Sequence, residues 1–281
     1  MSGTVIGLLG GGQLGRMLCE AAGPLGYQIA VLDAEGSPAK QANHNSLHVT
    51  GSFKDPAKIR ELAAKSDVLT VEIEHVDTAV LEEIATTGVD DGKGGKKRVP
   101  VHPHWKTLRL IQNKYEQKEY LGGKGIPIAQ QVAIAEAGPN RKASLEDAAA
   151  KFGFPFMLKG AKDSYDGRGN FKVAAAGDID TAVQQMGDQP LYAEKWVPFV
   201  QELAVMVVRT EDDEGKLLKV MPYPVVETIH EDSICTKVFY PPRECTDDVM
   251  ARAQKVACDV VSHLWGRGVF AVEMFLLTDG R

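Results

Sequence analysis

The sequence has few cysteines, no long apolar run and no excess of basic residues. Its four cysteines are Cys19, Cys235, Cys245 and Cys258, and no two of them have the Cys-x-x-Cys spacing of a zinc or redox motif. We therefore expect reduced thiols and a cytoplasmic protein. No apolar run reaches the roughly 18–20 residues of a membrane span. The net charge is −6, which argues against binding nucleic acid through bulk positive charge. We expect no membrane and no nucleic-acid partner.

The remaining composition is that of a folded α/β chain. Of 281 residues, 44% are hydrophobic and 25% are charged, which provides core material for about two domains. Up to about residue 87, apolar runs with strand character alternate with segments of helical periodicity. This alternation predicts a parallel, Rossmann-like sheet. The predicted strands are 4–9, 28–33, 47–50 and 67–72, and the predicted helices are 13–22, 55–64 and 78–85.

The pattern changes after a polar, glycine-rich stretch at 88–98, which we expect to be a mobile surface loop. Beyond it, short strands mix with helices and turns, and this predicts an α+β region with antiparallel hairpins. Ser144, followed by Asp147, is the predicted cap of one helix. The predicted helices are 105–122, 144–152, 179–186 and 247–264, and the predicted strands are 130–135, 156–159, 171–174, 191–196, 201–209 and 268–277.

A glycine motif, Gly10-x-Gly12-x-x-Gly15, lies between the first predicted strand and the first predicted helix. Such a turn brings backbone N–H groups and a helix N-terminus close to an anion, and Asp33 ends the next strand where a ribose-binding acid would lie. Three interpretations remain open on this motif alone: NAD, another anionic ligand, or glycines needed only for the turn.

Charged residues in the second half indicate a different ligand. Lys114 lies on a predicted helix, Lys159 ends an apolar strand, and a glycine-rich loop carries Arg168. Glu273 interrupts the apolar strand 268–277, where a buried carboxylate needs a partner or a metal. Two lysines, a cationic loop and a strand carboxylate indicate a triphosphate with magnesium, which an NAD domain alone does not explain.

Four segments in this order resemble N5-carboxyaminoimidazole ribonucleotide synthetase, an ATP-grasp ligase of purine biosynthesis. They are Gly11–Met17, Thr70–His75, Tyr165–Asn170 and Val272–Phe275. The insertion at 88–98 is similar to the fungal form, the N-terminal part of a bifunctional phosphoribosylaminoimidazole carboxylase. The resemblance implies a Rossmann-like pre-ATP-grasp domain at 1–103, a small ATP-grasp subdomain at 104–192 and a large subdomain at 193–281 that is incomplete at its C-terminus.

The resemblance also implies the reaction. ATP, bicarbonate and 5-aminoimidazole ribonucleotide would give the N5-carboxylated product, ADP and phosphate, with carboxyphosphate as an intermediate, magnesium as the metal and a homodimer as the assembly. Another ATP-grasp ligase, using formate or bicarbonate, is the first alternative. An NAD(P)-dependent oxidoreductase is the second.

The residues implied to act fall into three groups. ATP would be bound by Lys114, Lys159, Glu194, Lys195, Val197 and Glu202, and magnesium by Glu273. The substrate would contact Gly12, Gln13, Leu14, Glu74, His75, Tyr165, Asp166 and Arg168. Asp166 would orient or deprotonate the amine and Arg168 would bind the substrate phosphate, so these two are the predicted catalytic residues.

Two departures from the family pattern follow from the same comparison. Residues 160–164 lack an arginine expected at the lid, and Lys162 stands there instead. Residues 278–281 indicate a turn without a returning strand, where the family would bring a second acidic magnesium ligand. We therefore expect 281 residues to be the N-terminal two-thirds of a three-part synthetase, inactive by itself.

Overall fold

The computed structural model describes residues 3–162, 169–232 and 234–281. The chain divides into two compact units. The first contains the residues up to Arg109 together with Trp265–Gly268, and the second contains Leu110–Leu264 and Val269–Arg281.

The first unit is built on a four-stranded parallel sheet in the order β3-β2-β1-β4, so the predicted Rossmann-like sheet is confirmed. The predicted helix 13–22 and strand 28–33 match the structure residue for residue, and Pro38–Ala42 adds a short helix that was not predicted. In chain order the elements are β1 (Val5–Leu9), α1 (Gln13–Ala22), β2 (Gln28–Asp33), α2 (Pro38–Ala42), β3 (Val49–Thr50), α3 (Pro56–Ala64), β4 (Val68–Val71) and α4 (Thr78–Thr86).

Two aspartates begin the helices that cover this sheet. The Asp55 carboxylate accepts the N–H of Ala57 at the start of α3, and the Asp77 carboxylate accepts the N–H groups of Ala79 and Val80 at the start of α4. Each satisfies backbone donors that the first helical turn leaves unpaired. The predicted start of α3 at Asp55 is therefore confirmed.

The stretch at 88–98, expected to be a mobile surface loop, contains regular secondary structure. It forms a short antiparallel hairpin of β5 (Val89–Asp90) and β6 (Lys96–Lys97). The Asp91 carboxylate accepts the N–H groups of Lys93 and Gly95 across the turn, an aspartate turn that a composition argument overlooks.

The predicted helix 105–122 is two helices, α5 (Trp105–Ile111) and α6 (Lys114–Gly122). Asn113 breaks the run, because its side chain accepts the N–H of Glu116 and so caps α6. Lys114 is consequently the first residue of α6.

The second unit contains two antiparallel sheets, as the α+β prediction required. The smaller has the order β7-β10-β8-β9. Its apolar face packs against two helices and includes Phe156, Leu158, Leu191 and Ala193. Its elements are β7 (Gln131–Ala133), α7 (Asn140–Phe152), β8 (Phe156–Gly160), β9 (Asn170–Val173), α8 (Ile179–Met186) and β10 (Leu191–Lys195).

Ser144 does not cap a helix. The helix α7 begins four residues earlier, at Asn140, and the Ser144 hydroxyl accepts the N–H of Ala135 from the preceding segment. The prediction was wrong because a serine bond to a distant backbone group has the same sequence signature as a cap.

The larger sheet has the order β12-β11-β13-β14, and β15 also pairs with β11. The sequence did not predict the hairpin of β13 and β14. One face of the sheet packs on α9 through Leu203, Val205 and Val207. The elements are β11 (Phe199–Glu211), β12 (Leu217–Pro222), β13 (Val226–Glu231), β14 (Ile234–Phe239), α9 (Asp247–Ser262) and β15 (Gly268–Leu277).

Arg141 supports the smaller sheet from within α7. Its side chain is almost fully buried, and its guanidinium donates to the carbonyls of Ala135, Gly187 and Gln189. We predict that Arg141→Met destabilises the chain by about 2–4 kcal/mol in urea unfolding, because buried carbonyl groups then lose their donors. The neighbouring Lys142→Met, which removes an exposed ion pair with Asp180, is expected to leave the urea midpoint close to that of the wild type. Equal effects of the two substitutions would contradict this account.

Candidate functional site

The carboxyl ends of β1 and β4 meet at one edge of the parallel sheet. The glycine turn follows β1, and Glu72–His75 follow β4. Because ligands of such sheets bind at the carboxyl ends of the strands, this edge is where the first unit carries its candidate site.

Acidic side chains accept hydrogen bonds from the backbone N–H groups of the glycine turn. The Glu72 carboxylate accepts the N–H of Gly12 at 2.6 Å and that of Leu14 at 3.1 Å, and the Asp33 carboxylate accepts the N–H of Gly11 at 2.6 Å. A Cβ placed on Gly12 would lie 2.7 Å from Glu72 Oε1. The glycines are therefore needed for close packing against these acids, and the motif by itself does not indicate NAD. Sequence reasoning missed Glu72, although an acid directly after a buried strand is a usable signal.

The other predicted substrate residues of the first unit lie around the same turn. Gln13 and Leu14 begin α1 and are exposed. Glu74 and His75 are partly buried, and His75 Nε2 lies 3.7 Å from Glu74 Oε1. The structure therefore brings these residues to one sheet edge.

A buried cluster of charges lies on the second face of the smaller sheet. Because side chains alternate along a strand, Lys159 of β8 and Tyr192 and Glu194 of β10 point away from the apolar face. Glu194 is 5% exposed, and its carboxylate accepts hydrogen bonds from Lys159 at 3.1 Å and from Lys118 of α6. The sequence predicted Lys159 and Glu194 but not Lys118, which pairs with Glu194 across a separation of 76 residues.

The cluster shifts the pKa values of its members. Burial acts to raise the pKa of Glu194, but the charges and hydrogen bonds of Lys159 and Lys118 outweigh it, so the net pKa lies below the ordinary value. Burial lowers the pKa of Lys118, and the nearby Lys159 and Lys114 add to this, while Glu194 opposes it. Glu194 is therefore held as a carboxylate.

The remaining residues predicted to bind ATP in this region lie close in sequence to members of the cluster. Lys114 is exposed in the first turn of α6, and Lys195 is exposed at the end of β10. Val197 is partly buried in the short segment between β10 and β11. The Lys172 ammonium lies 4.4 Å from the ring centroid of Trp196 in the same segment.

The larger sheet carries the last two predicted residues. Glu202 of β11 contacts His230 Nδ1 of β13, which lies two residues along the strand from Thr228, the register partner of Glu202. Glu273 is exposed, because residues 269, 271, 273 and 275 of β15 alternate outward while Phe270, Val272 and Met274 pack on the core. The expectation that Glu273 is buried is therefore wrong: its apolar neighbours are buried on the other side of the strand.

Within the part of the chain that the structure describes, no group of three or more His, Cys, Asp and Glu side chains could hold a metal ion. One accessible carboxylate, Glu273, nevertheless suits magnesium that arrives with a nucleotide, since this ion is commonly held by one or two carboxylates and the substrate phosphates. Tyr165, Asp166 and Arg168 lie outside the described residues.

None of the helices described is long and apolar enough to cross a membrane.

Two family models match the chain. The ribonucleotide synthetase preATP-grasp domain matches residues 3–112, and the ATP-grasp domain matches residues 121–281. Together they account for both units, and the second alone covers more than half of the chain.

Named relatives and solved structures agree with these models. Phosphoribosylaminoimidazole carboxylase from Ogataea methanolica is 47% identical over 282 residues, which is 100% of this chain and 48% of that protein. The Saccharomyces cerevisiae protein of that name is 44% identical, over 100% of this chain and 46% of the relative. Crystalline carboxyaminoimidazole ribonucleotide synthase from Aspergillus clavatus, complexed with ATP, is 46% identical with a TM-score of 0.90, covering 100% of this chain and 68% of that chain.

The chain spans about half the length of these curated relatives. The chain belongs to the ATP-grasp proteins, and among them to the carboxyaminoimidazole ribonucleotide synthase family.

The role of Glu72 can be tested by stability. We predict that Glu72→Ala destabilises the chain by about 1–3 kcal/mol in urea unfolding, because the N–H groups of Gly12 and Leu14 lose their acceptor. Glu20→Ala, which removes an exposed ion pair with Arg16 on α1, is the matched control and is expected to change stability by less than about 0.5 kcal/mol. A Glu72→Ala protein as stable as the wild type would rule out this role.

Glu194 should give a pH-dependent contribution to stability. We predict that Glu194→Gln lowers the free energy of unfolding by about 3–5 kcal/mol at neutral pH, because two lysines then lose their buried anion. The folded-state pKa of Glu194 is lowered, so its contribution is complete above the ordinary value of 4.5 and is lost as the pH falls through the lowered pKa. Urea unfolding of both proteins from pH 7 to pH 3 should show the difference shrinking only below about pH 4.5. A difference that is constant across this range would contradict the assignment.

Proposed function

We propose that this chain contains the ATP-binding and substrate-binding parts of an enzyme that carboxylates 5-aminoimidazole ribonucleotide in purine biosynthesis. The substrates are ATP, bicarbonate and 5-aminoimidazole ribonucleotide. The products are N5-carboxyaminoimidazole ribonucleotide, ADP and phosphate.

One observation carries the proposal. N5-carboxyaminoimidazole synthase from Aspergillus clavatus, crystallised with ADP and 5-aminoimidazole ribonucleotide, is similar over 100% of this chain at 46% identity and a TM-score of 0.88. The buried charge cluster supports the nucleotide half of the proposal independently, because it presents ammonium groups around a single carboxylate.

In this proposal ATP binds on the polar face of the smaller sheet. Lys159 and Lys114 neutralise the phosphates, the segment of Glu194, Lys195 and Val197 binds adenine, and Glu202 binds the ribose. Glu202 is already oriented by its contact with His230. Glu273 would hold magnesium, which when bound neutralises phosphate charge.

The nucleotide substrate is proposed to bind at the sheet edge of the first unit. Gly12, Gln13, Leu14, Glu74 and His75 contribute from that edge. Glu72 keeps the turn in shape and leaves the neighbouring side chains to contact the substrate.

The proposed reaction has three chemical steps. A bicarbonate oxygen attacks the γ-phosphorus of ATP and ADP leaves, giving carboxyphosphate, which breaks down to CO2 and phosphate. The amine of the substrate then attacks CO2, forms the N–C bond and loses a proton. Asp166 is proposed to receive that proton or to orient the amine, and Tyr165 and Arg168 to bind the substrate. The unstable intermediate requires that water be excluded.

The proposal also covers the domain boundaries, the oligomeric state and the location of the protein in the cell. The Rossmann-like part is placed at 1–103, the small subdomain at 104–192 and the large subdomain at 193–281, and the protein is proposed to be a cytoplasmic homodimer. The smaller antiparallel sheet continues through β10 to Lys195, so the structural break at residues 196–198 falls a few residues after the proposed second boundary.

ADP release by the protein over its natural full length tests the proposal. With ATP, bicarbonate and 5-aminoimidazole ribonucleotide present, we predict ADP release that depends on both co-substrates. Lys159→Met should lower the rate about 10²–10³-fold, because a cation on the phosphates is lost. Lys151→Met, which removes an exposed lysine of α7, is the matched control and should keep the wild-type rate.

A folded full-length protein that releases no ADP under these conditions would overturn the proposal. ADP release with formate in place of bicarbonate would favour another ATP-grasp ligase, and saturable binding of NADH would favour an oxidoreductase.

A further inference from the structure

Lys118 is a partly buried cation whose role the proposed reaction leaves open. It lies in the second turn of α6 and contacts the same carboxylate as Lys159. Two ammonium groups therefore share Glu194, and Lys114 lies near enough to act on Lys118 electrostatically. This part of the site has more cations than anions, a condition that is unfavourable in a partly buried place unless an anion is added.

The packing of α6 explains how Lys118 is held. Tyr115 lies one turn before Lys118 on the same helix face, and its ring centroid is 5.8 Å from that of buried Tyr192. Tyr192 and Glu194 lie two residues apart on one face of β10. The contact between the tyrosines therefore fixes the helix above the strand and places Lys118 over the carboxylate.

The two lysines have different tasks if a polyphosphate binds here. A lysine that moves to a phosphate must leave Glu194, and a buried carboxylate left without a partner is strongly unfavourable. With Lys118 present, Glu194 keeps one ammonium partner when Lys159 departs. Without Lys118, Lys159 would be the remaining cation of this pair and would be retained by Glu194.

We propose that Lys118 is a positioning residue that stays on Glu194 and thereby frees Lys159 to bind the phosphates of the nucleotide. This inference rests on the proposed function for the identity of the ligand as ATP. It predicts an effect on ATP binding that passes through Glu194 and leaves the chemical step nearly unchanged.

The test measures the Kd of the full-length protein for ATP by calorimetry, together with KM and kcat for ADP release. Lys118→Met is expected to raise Kd and KM for ATP about 10-fold with kcat within about 3-fold of wild type. Lys118→Arg, which keeps the charge on Glu194, should restore both constants to within about 3-fold. Lys124→Met, at an exposed lysine just after α6, is the matched control and should leave both unchanged.

A double-mutant cycle separates positioning from a general loss of positive charge. In a Glu194→Gln background, Lys118→Met should raise Kd by less than about 2-fold, because its effect requires the carboxylate. A full 10-fold rise in that background would overturn the proposal, as would a Lys118→Met protein with wild-type Kd. If the methionine variant does not fold, Lys118→Gln, which removes the charge but keeps a donor, carries the same comparison.

The outcomes distinguish this inference from the proposed reaction. A wild-type protein that binds ATP but releases no ADP overturns the proposed reaction only. The role of Lys118 is then tested by the Kd of its variants for ATP. A wild-type protein that does not bind ATP overturns both.

Discussion

A carboxylate buried beneath a helix is the constraint on which the smaller antiparallel sheet and the helix packed over its polar face depend. Glu194 is nearly inaccessible, and an ionised carboxylate in such a place is stable only when cations approach it. Lys159 supplies one from the neighbouring strand and Lys118 supplies another from α6. The same requirement therefore joins β8, β10 and α6 and assembles a cationic surface before any ligand is bound.

The alternation of side chains along strands gives each antiparallel sheet an apolar face that packs on the core and a second face that carries charged residues. In the smaller sheet, Leu158 and Ala193 pack on helices, while Lys159 and Glu194 face the opposite way. In the larger sheet, Val272 and Met274 pack on the core, while Glu273 faces outward. The residues that pack on the core and the residues proposed to contact ligands thus alternate along the same strands.

In the first unit, the strand order of the parallel sheet brings together residues that are far apart in sequence. Because β1 and β4 are neighbours, Glu72 reaches the turn after β1 although about 60 residues separate the two in sequence. The glycines allow this approach, and the acid then satisfies the backbone donors of the turn. A motif that resembles a dinucleotide site is consequently a packed, acid-capped turn.

Several local signals were read correctly from the sequence, whereas contacts between distant residues were not predicted. The spans of α1 and β2, the Asp55 cap of α3 and the alternation of the first unit follow from periodicity and capping, which depend on near neighbours. Ser144, the hairpin at 89–97 and the β13–β14 hairpin were misjudged or missed, because side-chain bonds to backbone and short strand pairs leave weak patterns. The exposure of Glu273 was misjudged since an apolar strand need bury only one face.

By itself the sequence determined the class of fold and the family, and it named most of the candidate site residues, because motif order and residue type are properties of the chain. The tertiary structure alone decided which of those residues meet. It placed Lys118 on Glu194 and Glu72 on the glycine turn, since burial and pairing of charge depend on elements that are far apart in sequence.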